Sequence, residues 1–326
     1  MPPADPVYRH NFRMGLANAA FAQLADTFFN PNTILAVFAA QLGASNTIIG
    51  LLPSMRIGGW LLPQLIVASR IAHLPRKLPV YVGAFFGRST TYGLIALSTW
   101  LLGDRPQLLL YLFFMLVAMN SLGSGIAGLP FMEVVGKVIP PQNRGVFFGA
   151  RNVSGGTLSL LGGLFISWLL GSQLLSFPRE YALLFTLTFF FNGLGLGAFC
   201  LVREPPGEPQ RRSGLWQQLV QAPGLLRQDA NYRRFLTSRL LLSLGAVSDP
   251  FYAIFAKRQL HAPDELIGTY LFSLTAAGIA SNLLWGALAD RVGSKLVVTL
   301  GSGLALMAPL YALLAGTLHL SPVAFT

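Results

Sequence analysis

From Gln107 to Val135 the chain reads QLLLYLFFMLVAMNSLGSGIAGLPFMEVV, an apolar stretch longer than the ~20 residues that take a helix across a hydrocarbon core of roughly 30 Å. The pattern recurs along the whole chain. Apolar runs between polar breaks lie near 14–41, 47–69, 78–102, 107–135, 146–171, 181–202, 235–256, 266–289 and 296–317, nine spans in all. Composition agrees: 53% of residues are hydrophobic and 11% charged, mean hydropathy is +0.57, and soluble proteins carry about 25% charge. So few charges cannot clothe the water-facing surface of a 326-residue chain, which excludes a soluble enzyme. The predicted class is an all-α polytopic membrane protein.

A formal charge of +11 would in a soluble protein point to nucleic acid, so the distribution of the 23 Lys and Arg decides its meaning. With a cytoplasmic N-terminus, sixteen fall in inside segments and only Arg105, Arg179, Lys257 and Arg258 outside; Arg56, Arg88 and Arg239 lie within spans. That asymmetry follows the positive-inside rule. The basic balance therefore describes insertion into a bilayer, with no nucleic acid as partner, and the expected location is the inner membrane of a bacterium. Met1 to Arg13 is polar and the first run is interrupted by Asp26, Asn30 and Pro31, so the start is not a cleavable signal. One cysteine, Cys200, and four scattered histidines, His10, His73, His261 and His319, give neither a disulfide framework nor a metal site. No cofactor is expected.

Glycine spacings such as Gly83 with Gly87, Gly145 with Gly149 and Gly193 with Gly197 put small residues on one helical face, where close helix contact is expected. Residues 203–234 are polar and carry Pro205, Pro206, Pro209 and Pro223, a linker in which Leu215, Trp216, Leu219 and Val220 form an apolar stripe suited to an interfacial helix. It divides a six-helix bundle, 1–202, from a partial bundle, 235–326. The two are related by a repeat: Ala36-Val37-Phe38-Ala39 returns as Ala253-Ile254-Phe255-Ala256, Asn30-Pro31 as Asp249-Pro250, and Ile49-Gly50 as Ile267-Gly268, all offset by close to 218. Six spans precede the second copy, so both halves insert the same way up, as in transporters built from parallel repeats. Extending that offset places the end of the second half near 420, an expectation of three further helices.

The second copy holds the most specific motif, Gly286-Ala287-Leu288-Ala289-Asp290-Arg291-Val292-Gly293-Ser294-Lys295, between spans eight and nine. It resembles the signature loop of the major facilitator superfamily, Gly-x-Leu-Ala-Asp-Arg-x-Gly-Arg-Lys, departing at Ser294. The resemblance implies two helical bundles moving a small solute by alternating access, and a conformational lock made by Gly286, Asp290, Arg291, Gly293 and Lys295. The matching loop of the first half, Ala68 to Lys77, keeps Arg70, Arg76 and Lys77 but has no acid. Glu133, with Lys137 and Arg144, is a candidate gate charge there; an ordinary solvated loop end is the alternative. Met119 stands where the superfamily's proton-coupling pattern has Arg, and span five lacks the Gly-Pro pair of antiporters, so a coupling proton or ion is left open.

Charges inside spans usually face a protein interior or a water-filled path, and pair there. Asp26, Arg56 and Arg88 each lie about ten residues into a span, near mid-depth at 1.5 Å per residue, leaving one positive charge uncompensated. Two readings stand. The charges either hold an anionic group of the solute, or carry a coupling proton on Asp26; alternatively, Asp26 and an arginine form a structural pair. Asn30-Pro31 and Asp249-Pro250 break spans one and seven at matching places, adding Asn30 and Asp249 to the candidate site. No catalytic constellation argues for a membrane enzyme; the function that the resemblance implies is secondary transport, with a non-transporting membrane sensor or an inactive fragment as the alternative.

Overall fold

The computed structural model describes residues 5–172, 174–207, 226–245 and 294–307, together with scattered helical positions at 224, between 251 and 288, and from 309 to 314. All regular structure among them is helical: α1 (Pro6–Phe28), α2 (Ile34–Gln41), α3 (Asn46–Ile71), α4 (Leu78–Leu101), α5 (Pro106–Val138), a 3-10 turn (Pro141–Asn143), α6 (Arg144–Gly171), α7 (Arg179–Cys200), α8 (Ala230–Gly245) and α9 (Ser294–Ala305). Helix starts carry the residues such starts require. Asp5 caps α1, its Oδ1 accepting the Val7 N–H at 2.9 Å, with Pro6 in the first turn. Ser45 caps α3. The α2 end closes on Gly43 at φ 91°, with the Ala44 N–H returning to the Ala39 carbonyl at 3.0 Å and that of Gly43 to Ala40 at 3.1 Å; only glycine takes that backbone cheaply.

The long helices pack in the order α6, α1, α7, α4, α5, α3, each against the next. Four of the helical stretches, Asn46–Ile71, Pro106–Val138, Pro141–Gly171 and Arg179–Cys200, are long and apolar enough to cross a membrane. α1 and α4 are not among them, because they carry the bundle's polar interior: Asn18 and Asp26 on one, Arg88 and Thr91 on the other. Two apolar clusters fill the bundle. One gathers Phe29, Phe38, Phe113, Tyr181 and Phe185 around α2; the other gathers Tyr81, Val134, Phe147 and Phe199 toward the opposite end.

The break expected at Asn30-Pro31 divides the first span into α1 and α2, with α1 beginning already at Pro6. One expectation changes here. The glycine pairs picked from spacing do not mark the contacts among the described residues: a methyl group added at Gly83, Gly87, Gly145, Gly149 or Gly193 would meet none of them within 4 Å. Close approach occurs instead at Gly125, where a methyl group would stand 2.6 Å from the Gly59 and Trp60 carbonyl oxygens, and at Gly195, 2.8 Å from the Ala22 backbone nitrogen. Sequence spacing finds faces, and which face meets a neighbour is decided by the rotation of each helix in the bundle. The interfacial stripe at 215–220 lies outside the described residues.

Chain ends and connections sort cleanly into two sides. The start of α1, the α3–α4 and α5–α6 connections and the end of α7 meet at one end, through Asn11 with Arg203, Lys77 with Glu204 and Lys137 with Glu204. This is called the basic end below.

Candidate functional site

At the break, Pro31 has no N–H to continue the helix, and the Asn30 Oδ1 accepts the Asn32 N–H at 2.9 Å. Asn30, expected in the solute site, thus has its side-chain oxygen on its own turn. The break leaves the Phe29 carbonyl without a helical partner, and Arg56 takes it: Nη1 donates to Phe29 O at 3.1 Å while Nη2 donates to Asp26 Oδ1 at 3.3 Å. One guanidinium therefore ties α3 to both sides of the α1 terminus. Half of the Asp26 side chain is still exposed, against 26% for Arg56, so the pair faces open space rather than a sealed core.

Arg88 is different. It enters from α4 with its Nη2 donating to the Tyr92 hydroxyl at 3.3 Å and its guanidinium 5.8 Å from the Tyr92 ring centre. Gly123 makes room for it, since a methyl group there would come within 2.9 Å of the Arg88 Cγ. Behind it, Asn120 Nδ2 donates to Thr91 Oγ1 at 2.8 Å and to the Arg88 carbonyl at 3.3 Å. Among the described residues the buried Arg88 Nε donates to nothing and no carboxylate lies within ion-pair distance of the guanidinium. A buried cationic donor left over is costly unless something else meets it.

The basic end is held by a residue that sequence reasoning passed over. Glu204, its side chain 1% exposed, accepts the Lys77 N–H at 2.9 Å and the Leu78 N–H at 2.7 Å, and pairs with Lys137 Nζ at 2.6 Å. A carboxylate on the first amides of α4 meets both the orphan N–H groups and the positive end of the helix dipole. Lys77 turns the other way, its Nζ donating to the carbonyls of Ile71 and Ala72 that end α3. Burial lowers the Lys77 pKa, opposed by the Glu133 carboxylate. The acid missing from the α3–α4 loop is therefore supplied from beyond α7. A lone Glu between a basic residue and two prolines was the available signal.

Glu133 forms no ion pair with Lys137 or Arg144 among the described residues. Arg144 instead donates to the carbonyls of Ile139 at 3.2 Å and Gly136 at 2.7 Å, closing the end of α5. Of the three residues expected as a gate charge, Lys137 thus pairs with Glu204 and Arg144 caps the end of α5. Beside that pair lies a cavity of about 530 Å³ lined by Asp5, Tyr8, Asn11, Lys137, Arg203 and Glu204 among others; none of the mid-depth charges lines it.

A second missed residue is Arg151 of α6. Its Nη1 donates to the Gly15 carbonyl at 2.6 Å and to Asn18 Oδ1 at 3.0 Å, and its plane lies 4.8 Å from the Phe131 ring centre and 5.4 Å from that of Phe147. Asn18 in turn donates to the Gly195 carbonyl at 3.0 Å. The signal was Asn18, a polar residue in the apolar stretch of α1. Of the remaining candidates, Asp249, Gly286, Asp290, Arg291 and Gly293 lie outside the described residues, and Lys295 is the second residue of α9.

No curated protein sequence matches the chain. The family model described as Major Facilitator Superfamily matches residues 16–326, which takes in every helix described above apart from the first turns of α1. An all-helical, membrane-spanning bundle with charged groups at mid-depth, matched over nearly its whole length, places the chain in the Major Facilitator Superfamily, a family of membrane transporters of small molecules.

Proposed function

We propose that the chain is a secondary transporter that moves a small solute bearing an anionic group by alternating access, without covalent chemistry. The observation that supports this reading is the pairing pattern at mid-depth: Asp26 is matched by Arg56, whereas the buried Arg88 Nε has no acceptor among the described residues. An anionic group is the chemistry that satisfies such a donor, and the Asp26–Arg56 pair beside the α1–α2 break would reorganise as it binds. Asp249, at the matching break of the second repeat, is assigned to the facing wall. In this reading 1–202 and 235–326 are the moving bundles, 203–234 their connection, and the lock is Gly286, Asp290, Arg291, Gly293 and Lys295. The basic end is cytoplasmic, in a bacterial inner membrane, and a proton or ion gradient supplies the energy.

Proteoliposome uptake of a panel of labelled carboxylates, phosphate esters, neutral sugars and cationic amines tests this. The expected result is flux of an anionic member that Arg88→Ala abolishes while the protein still inserts, and that Arg88→Lys reduces through loss of the planar fork. Flux confined to neutral or cationic solutes, or unchanged by Arg88→Ala, refutes it.

A further inference from the structure

Arg151 is the other interior guanidinium without a carboxylate: the two ion pairs among the described residues are Asp26 with Arg56 and Lys137 with Glu204. It lies seven residues into α6, ~10 Å from the basic end at the helical rise, where α1, α5 and α6 meet. How it is held matters. Both of its hydrogen bonds leave from one nitrogen, Nη1, to Gly15 and Asn18. The rings of Phe131 and Phe147 fix its plane. Nε and Nη2 make no hydrogen bond among the described residues, and neither is a sealed donor. That edge is the fork which matches a carboxylate or phosphate with two parallel N–H···O bonds. Elsewhere in the bundle arginines whose work is structural are used up: Arg144 has both Nε and Nη2 on helix-end carbonyls.

We infer that Arg151 is an anion-binding residue in the basic-end half of the first bundle, taking one carboxylate or phosphate oxyanion on its Nε–Nη2 edge. It rests on the transport reading only for how a soluble anion reaches it, and it adds to Arg88 a second station nearer the basic end. A guanidinium pinned at one nitrogen and stacked on two rings loses little side-chain freedom on binding, so the edge is organised in advance. An anionic lipid headgroup offers the same chemistry as a soluble phosphate.

The test uses the whole chain in nanodiscs of zwitterionic phosphatidylcholine, with phenylglyoxal as an arginine-selective label, adducts mapped by mass spectrometry, and inorganic phosphate as the probe. Expected is labelling of Arg151 that saturating phosphate slows at least about five-fold, as for a bidentate charge-assisted contact, with exposed Arg234 unaffected. Discs containing phosphatidylglycerol, without phosphate, form the second arm: protection only there assigns the oxyanion to a lipid headgroup. An Arg151 that labels equally fast under every condition, or that resists labelling without added phosphate both in zwitterionic discs and in phospholipid-free detergent, overturns the inference. Phosphate should also raise the thermal midpoint of the wild type and of Arg234→Gln but not of Arg151→Gln. Should the last fail to fold, wild-type labelling decides alone. Absence of flux with protection intact would count against transport, not against this site.

Discussion

Replacing Glu204 with alanine removes the carboxylate that joins the α3–α4 loop, α5 and the end of α7. Three donors lose it: the backbone amides of Lys77 and Leu78, and the Lys137 ammonium 2.6 Å away. Taking one member from a buried, hydrogen-bonded charge pair costs about 3–5 kcal/mol, because the other charge stays behind. Lys137 is 20% exposed and retains the Pro75 carbonyl at 2.9 Å, so the low end, about 3 kcal/mol, applies. At ~2–4 °C per kcal/mol for a unit of 150–250 residues, the midpoint should fall by roughly 6–12 °C. Glu204→Gln keeps one acceptor for an α4 amide and should lose about half as much. Adding Lys137→Met to Glu204→Ala removes the stranded ammonium, so the double variant should be more stable than the sum of the two single losses. Thermal unfolding of detergent-solubilised protein, followed by tryptophan fluorescence, reads all five proteins, Lys137→Met alone included. A Glu204→Ala midpoint within about 1 °C of wild type, under ~0.5 kcal/mol by the same conversion, refutes the clamp.

Gly125→Ala should lower the thermal midpoint, costing ~1–3 kcal/mol from overpacking against two carbonyls, whereas Gly87→Ala, facing open space, should be neutral or slightly stabilising; equal effects would mean the α3–α5 contact is not that tight. Burial holds the Lys77 pKa below the ordinary lysine value of 10.5, so between the two values the unfolded chain binds more protons and stability rises with pH across that window. Midpoints measured up to pH 10 should show this rise in wild type and a smaller one in Lys77→Met; identical slopes would contradict it. Asp26→Asn should leave Arg56 a neutral amide oxygen in place of the carboxylate; if the pair is structural, yield and midpoint fall while the pH profile of flux is kept, and if Asp26 carries a proton, that profile flattens.

The fold was legible because length and hydropathy are additive along a chain: a span such as 107–135 announces itself without its neighbours. Parity did the rest, since alternate connections must return to the same side, and the structure gathers Asn11, Lys77, Lys137 and Arg203 at one end. Mid-depth charges were legible by position, and the Asp26–Arg56 pair was one of two readings open beforehand. What escaped is relational. Glu204 matters because residue 77, 127 positions earlier, ends a loop against it, and the lone acid in Arg203-Glu204-Pro205 marks itself without naming that partner. Arg151 was counted with the loop charges by its nearness to Arg144, although it sits among rings from two other positions. Helix rotation likewise chose Gly125 and Gly195 over the more regular pairs.

α1 is made before the helices that hold it and is among the least able to partition alone, so its polar groups wait for partners not yet synthesised. Arg56 follows Asp26 by 30 residues and Arg151 follows Asn18 by 133. At ~5–20 residues per second, these intervals are roughly 2–6 s and 7–27 s. An unpaired Asp at a helix centre costs ~2.5–3.5 kcal/mol on insertion scales. Biogenesis therefore has an order: α3 relieves Asp26 early, while Asn18 waits at the insertion machinery until α6 and then α7 arrive, so the release of α1 from the translocon should be settled only after helices made long after it.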